Sequence, residues 1–446
     1  MVRLRDWRQL IAQLRGSDYV ANVTRLSVGA TLAQAIGILA APIITRLYQP
    51  HQYGLAASYA AIVGVIGAIA ALRYDFAIVL PDNDEEATSA VWLCVSLVTI
   101  ASLLTAVLLL VAWVVSPQVV VQPFGLVILL LPVSIFVTTA SVILTNWANR
   151  KRQYTVLARS RVLAAAVTPA VAVGTFLFLG STVLGLVLAS LAGAATGVLL
   201  LLWVMTNQQL LPGRRSVSLG QLKFAARRYR QFPLYNLWMT LLDQLTSSLP
   251  VLLFAGLFSP AVAAYFALAN NVLRLPMSLV GQAVAQVFYE RAARQQHLPT
   301  QLRHLVLVNI KGLALLAVLP LLIVVALGPT LFAFVFGPSW QQAGLFARFL
   351  VVATTLTFVA SPISMMPSVL NQQHVHLVIS LIAVVARVAS IWLGVQAGSP
   401  MLAVAFYSLG EGAVIVVFLA WLLNYLHRLE QRVVDQSSSA LHCEVP

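Results

Sequence analysis

Apolar residues run along this chain in blocks far longer than a soluble helix needs, and short polar segments interrupt them at nearly regular intervals. An α-helix rises 1.5 Å per residue, so about 20 apolar residues cross a hydrocarbon core of about 30 Å. Twelve stretches meet that length, at 22–48, 53–80, 87–115, 123–148, 155–179, 182–206, 232–258, 261–289, 305–327, 342–370, 375–396 and 401–426. The pattern predicts an all-α integral membrane protein of about 12 transmembrane helices, in two six-helix lobes, 22–206 and 232–426. Around them it predicts a basic lead-in at 1–21, a basic linker at 207–231 and a disordered tail at 427–446. Composition agrees: of 446 residues 60% are hydrophobic and 9% charged, where a soluble chain carries about a quarter charged. Water-soluble enzymes are excluded.

Charge orients the spans. The linkers 49–52, 116–122, 180–181, 259–260, 328–341 and 397–400 hold no Lys or Arg, whereas the alternate linkers and the two ends hold 19 of the 27 basic residues. The positive-inside rule therefore puts both termini in the cytoplasm. The net charge of +14 reads as membrane topology and gives no reason to expect nucleic acid. Only three of the basic residues are lysine; an arginine excess suits phosphate recognition through the planar guanidinium, and a GC-rich coding sequence produces the same bias. Leu4, Trp7, Leu10, Ile11 and Leu14 in the lead-in recur at helical spacing, as in an interfacial helix. Cys94 and Cys443 offer no evident staple.

An offset of 210 residues aligns the segment from Thr31 with the segment from Leu241, placing Gln34 on Gln244, Leu47 on Leu257 and Pro50 on Pro260. Two halves that each begin and end on the cytoplasmic side are parallel repeats, an arrangement suited to lobes rocking about a central cavity. Gly193 and Gly197 form a GxxxG, which reads as close helix packing.

Charge inside the spans is one-sided. Arg25, Arg46, Arg159, Arg161, Arg274, Lys311, Arg348 and Arg387 face only two deep acids, Asp243 and Glu411. A charge at the bilayer centre costs about 3 kcal/mol or more, so each should meet a partner or a water-filled cavity. Asp243 and Arg274 lie equally deep, about 21 Å from one turn, and Arg387 and Glu411 about 15 Å from another. Each pair reads either as a coupling element or as a structural ion pair. The cationic excess would attract an anion. No P-loop, HExxH or GxSxG is present, so the sequence predicts no ATP use by this chain, no metal and no enzyme activity. Asp82, Asp84, Glu85 and Glu86 read as an acidic cap before span 3, and His374 and His376 as loop polarity.

The run Ile44 to Ala87, with Arg46, Tyr48, Pro50 and Gly54 followed by LRYDFAIVLP, resembles the N-terminal signature of polysaccharide biosynthesis flippases, the Wzx-type branch of the multidrug/oligosaccharidyl-lipid/polysaccharide exporter superfamily. The resemblance implies transfer of a polyprenyl-diphosphate-linked oligosaccharide from the cytoplasmic to the outer leaflet of the inner membrane by alternating access, for cell-surface polysaccharide export. It implies diphosphate binding by cavity cations on spans 1, 2, 7 and 8, carried over by position to Arg25, Arg46 and Arg274, with Gln34, Asn270 and Asn271 as sugar or phosphate contacts. It also implies no cofactor beyond a proton or sodium gradient, to which Asp243 is the candidate link, and partners among polysaccharide export and polymerisation proteins besides the phospholipid membrane. The alternative within the superfamily is a cation-coupled multidrug antiporter, for which two acids facing arginines are a poor provision.

Overall fold

The computed structural model describes residues 18–118, 122–213, 218–276, 280–295, 298–370 and 372–443. The amphipathic reading of the lead-in falls outside them except for Asp18 and Tyr19, which open the first helix. Among the described residues regular structure is all helical, and eleven helical segments are long and apolar enough to cross a membrane. Within the remaining predicted span, 261–289, the described residues form the helices Pro260–Pro276 and Gln282–Arg294.

The chain divides into two compact units, 1–249 and 250–446. The boundary falls inside a helix, not in the basic linker at 207–231 where the lobes were expected to part. The first unit contains α1 (Asp18–Leu47), α2 (Pro50–Ala70), α3 (Asp84–Val115), α4 (Leu131–Arg150), α5 (Tyr154–Leu179), α6 (Val183–Asn207) and a short α7 (Leu219–Arg228). Helix α8 (Leu237–Leu257) crosses the boundary. The second unit contains α9 (Pro260–Pro276), α10 (Gln282–Arg294), α11 (Pro299–Phe336), α12 (Gln341–Ala360), α13 (Gln373–Gln396) and α14 (Pro400–Cys443). The tail expected to lack structure after Arg432 instead continues α14 to Cys443. The 210-residue offset survives in the helix ends: α1 ends at Leu47 and α8 at Leu257, and α2 starts at Pro50 and α9 at Pro260.

The signature residues fix the first turn. Pro50 occupies the opening position of α2, where a missing N–H costs nothing, and it holds Gln49 extended (φ −69°, ψ 154°). Tyr48 is 1% exposed; its hydroxyl donates to the Ala172 carbonyl (2.8 Å) and lies 3.1 Å from Thr175 Oγ1, tying the turn to α5. The predicted acidic cap also holds the linker. Asn83 caps α3 by accepting from the Glu85 N–H (2.9 Å), Asp84 pairs with Arg150 and Lys151, and Glu86 meets Arg228 (2.9 Å) and Tyr229 (3.0 Å). Basic side chains of α4 and α7 are thereby neutralised locally.

The GxxxG of α6 does pack closely, against α5. A Cβ added at Gly193 would fall onto Thr168 and 3.0 Å from the Ala164 carbonyl, whereas at Gly37 on α1 it would meet open space. Gly193→Val should lower the detergent-solubilised protein's thermal stability by the equivalent of about 1–3 kcal/mol, the usual cost of overpacking. Gly37→Val should leave the unfolding curve nearly unchanged.

Candidate functional site

A cavity of the first unit with polar groups in its lining, the polar cavity, lies among α2, α4, α6 and the start of α8, and has a volume of about 440 Å³. That is within the range of about 300–1,000 Å³ usual for ligand pockets. Its polar lining comes from six hydroxyl side chains, Tyr59, Ser134, Thr138, Thr139, Ser190 and Thr240, with the amide of Gln244 and the pair Arg73 and Asp75. Helical spacing gathers them: Ser134 and Thr138 are one turn apart on α4, as are Thr240 and Gln244 on α8. The Tyr59 and Ser134 hydroxyls share a hydrogen bond of 2.8 Å, Thr138 donates back to the Ser134 carbonyl and Gln244 donates to Ser248 (3.1 Å). Small residues open the room: a Cβ at Gly64 would lie 2.6 Å from Gln244 Nε2, and one at Gly67 3.3 Å from Thr139 Oγ1.

The charged end is built by the turn after α2. Leu72 (φ 48°) and Arg73 (φ 61°) are both left-handed, a conformation uncommon for side chains of this size and often found at functional sites. The reversal feeds a 3-10 turn, Tyr74–Ile78, in which Ala77 and Ile78 are fully buried. It sets Arg73 3.6 Å from Asp75 and 4.1 Å over the Phe76 ring. Asp75 is 3% exposed, and Asn146 holds its backbone by donating to its carbonyl (3.1 Å). Burial pushes the Asp75 carboxyl above its ordinary 3.8, against the pull of the Arg73 guanidinium. Arg73 Nε is buried without a hydrogen-bond partner among the described residues.

In the second unit Arg387 on α13 makes a two-point ion pair with Glu411 on α14, Nε to Oε2 and Nη2 to Oε1, both 2.6 Å. The equal-depth expectation for these residues is therefore met by contact. Around Glu411 lie Asn270, Arg274, Thr354, Thr357 and Tyr407, lining a niche of about 10 Å³, room for about one water. Arg274 Nε donates to Asn270 Oδ1, four residues back (3.2 Å). The pairing expected between Arg274 and Asp243 is not part of either unit by itself: Asp243, exposed on α8, belongs to the first and Arg274 to the second.

The remaining predicted residues are spread out. Arg46 is exposed in the last turn of α1, Gln34 is half-buried on the same helix and Asn271 is exposed on α9. Arg25 lines a separate apolar crevice. None of these four contributes to the polar cavity. In the sequence Arg73 and Asp75 stand out only as part of the run LRYDFAIVLP, and the hydroxyls do not stand out at all. The signal available for them was polar residues at helical spacing on one face of otherwise apolar spans.

The sequence profile of the polysaccharide biosynthesis protein family matches residues 43–345, which include the turn, the cavity and the α8–α9 hairpin. The chain belongs to this family. No curated protein sequence gives a significant match. In fold, this family member is similar to an inward-facing multidrug resistance MATE family transporter of the MOP superfamily (16% identity, 92% of this chain and 99% of that one, TM-score 0.68). It is equally similar to the lipid II flippase MurJ in an inward closed conformation (9% identity, 94% and 93%, TM-score 0.67). A third likeness is to a MOP superfamily transporter from Pyrococcus furiosus (14% identity, 92% and 96%, TM-score 0.56). At such identities the likeness shows the fold: this is a multi-pass membrane protein built as transporters of that superfamily are.

Two outcomes are expected from this geometry. Arg387→Leu should destabilise strongly, by about 3–5 kcal/mol, because it strands a buried carboxylate, whereas the double variant Arg387→Leu/Glu411→Leu should recover most of the loss; thermal unfolding of the four-member cycle measures both. Asp75, with its folded value raised, contributes most to stability below its ordinary 3.8, and that contribution is lost as pH rises through the folded value. The stability difference between wild type and Asp75→Asn should therefore shift against the wild type with rising pH across that window. A difference independent of pH would show that Asp75 titrates alike in both states.

Proposed function

We propose that this protein carries a polyprenyl-diphosphate-linked oligosaccharide from the cytoplasmic to the outer leaflet of the inner membrane by alternating access, with both termini in the cytoplasm. The observation that carries the reading is the first unit's cavity, whose polar lining is hydroxyls and an amide with the Arg73–Asp75 pair. Sugars are recognised by such neutral donors and acceptors, and a drug cation would be better matched by unpaired carboxylates. Asp75 has Arg73 beside it, and Glu411 is held by Arg387. The cationic excess of the spans suits the diphosphate. Arg274, exposed and oriented by Asn270, is the second unit's diphosphate ligand in this reading, with Asn271 beside it and Arg46 and Gln34 contributing from α1. Asp243, exposed on α8, is the candidate link to a proton or sodium gradient, and Arg387 with Glu411 is a structural pair. Membership of the polysaccharide biosynthesis family supports the substrate class.

The test is translocation of a labelled polyprenyl-diphosphate oligosaccharide in proteoliposomes at matched reconstitution. Wild-type protein should translocate it. Arg274→Ala and Arg46→Ala should each slow transfer by about tenfold or more, the loss expected for a charge-assisted hydrogen bond worth about 1.5–3 kcal/mol. No translocation by folded wild type in a competent lipid series, with proton-coupled uptake of a cationic dye instead, would move the protein to the multidrug antiporter class.

A further inference from the structure

Arg73–Asp75 is a looser ion pair than Arg387–Glu411, and it stands beside far more space. Arg387 and Glu411 meet at two points of 2.6 Å, next to a niche of about 10 Å³ that takes no more than about one water. Arg73 Nη1 lies 3.6 Å from Asp75 Oδ2, beyond hydrogen-bond length, and both residues line the cavity of about 440 Å³. Arg73 Nε has no hydrogen-bond partner among the described residues. Of the two side chains Arg73 keeps 18% of its surface exposed and Asp75 4%, so the group a ligand meets at that end is the cation. The guanidinium lies 4.1 Å over the Phe76 ring, and Phe76 in turn stacks on Phe232 with centroids 6.1 Å apart. Its planar fork is thus fixed by a ring and keeps its edge for an acceptor.

The cavity is therefore a chamber with one charged end, for its lining holds no charged side chain besides this pair. Hydroxyls and the Gln244 amide offer neutral donors and acceptors along the walls, and Arg73 offers unused donors at the end. A sugar ring suits the first, and a carboxylate on that ring suits the second, since a guanidinium meets a carboxylate edge to edge. A diphosphate is a poorer match, because it brings more than one negative charge to a single cation that already has Asp75 beside it. An amino sugar would meet the arginine before the nearly buried carboxylate. We propose that the chamber selects a glycan bearing a carboxylated sugar, a hexuronate or a related sugar acid, and that Arg73 reads the carboxylate. Asp75 is the countercharge that holds Arg73 between cargoes. The inference rests on the lipid-linked oligosaccharide reading above and names the class of glycan carried.

Equilibrium binding to the purified full-length protein tests it, using polyprenyl-diphosphate trisaccharides that carry glucuronate at the first, second or third position, each compared with its glucose counterpart. At one position or more, glucuronate should bind wild type about tenfold more tightly, the gain of a charge-assisted hydrogen-bonded pair. Arg73→Gln should remove that ratio while binding the glucose probes nearly as wild type does. Asp75→Asn keeps Arg73 and removes the competing carboxylate, so it should widen the ratio; it decides the matter even where Arg73→Gln fails to fold. The sugar-free polyprenyl diphosphate should bind wild type and Arg73→Gln alike. A ratio near unity at every position, a ratio that survives Arg73→Gln, or one that Asp75→Asn leaves unchanged or narrows would overturn the proposal. So would weaker binding of the sugar-free lipid to Arg73→Gln, which would assign Arg73 to the diphosphate. If no trisaccharide binds better than the sugar-free lipid, the oligosaccharide reading fails and this inference fails with it.

Discussion

A bilayer withholds water from every polar group that enters it, and this structure is organised by the answers its polar residues find. The strongest answer is the two-point contact of Arg387 with Glu411, through which α13 and α14 hold a positive and a negative charge against each other. Serine and threonine hydroxyls answer by donating to carbonyls one turn back, as Thr45, Ser58, Thr138 and Thr354 do. What cannot be answered within one helix is gathered around space. Arg73, Asp75 and the hydroxyls of α2, α4 and α6 line the cavity of the first unit.

The first unit's cavity sets hydroxyl and amide groups and the Arg73–Asp75 pair among otherwise apolar walls, and Gly64 and Gly67 leave room for them. The left-handed turn at Leu72 and Arg73 is the costly local feature that makes the chamber charged at one end. Its backbone is held by Asn146 and by the buried Ala77 and Ile78 rather than by glycine.

Much of the fold was legible in the sequence because hydrocarbon imposes a length and a composition on each span. Several span starts, such as those at 155, 182, 261, 342 and 401, fall within a residue of a helix start, while ends such as 80 against Ala70 and 327 against Phe336 do not, and the offset between Leu47 and Leu257 is readable without a structure. The Arg387–Glu411 contact was legible from depth alone, since a hairpin makes depth a coordinate. The helical continuation of α14 was hidden because polar residues there fit either state. The cavity was missed because a threonine facing space and one bonded to its own helix look alike in sequence. Tyr48 and Pro50, by contrast, carried the family resemblance, and their contacts are those of a turn held in place.

The central claim is that the first unit's chamber receives the sugar of an anionic lipid-linked oligosaccharide. The most direct measurement is equilibrium binding by the purified protein of three probes: a polyprenyl-diphosphate oligosaccharide, the same polyprenyl diphosphate without sugar, and a lipophilic drug cation. It is repeated with Thr138→Trp, which fills the chamber without altering charge. The account predicts that the sugar tightens binding by about tenfold, equivalent to one or two good hydrogen bonds, that the tryptophan abolishes this gain and that the cation binds most weakly. Equal affinity with and without the sugar, or tightest binding of the cation, would contradict it.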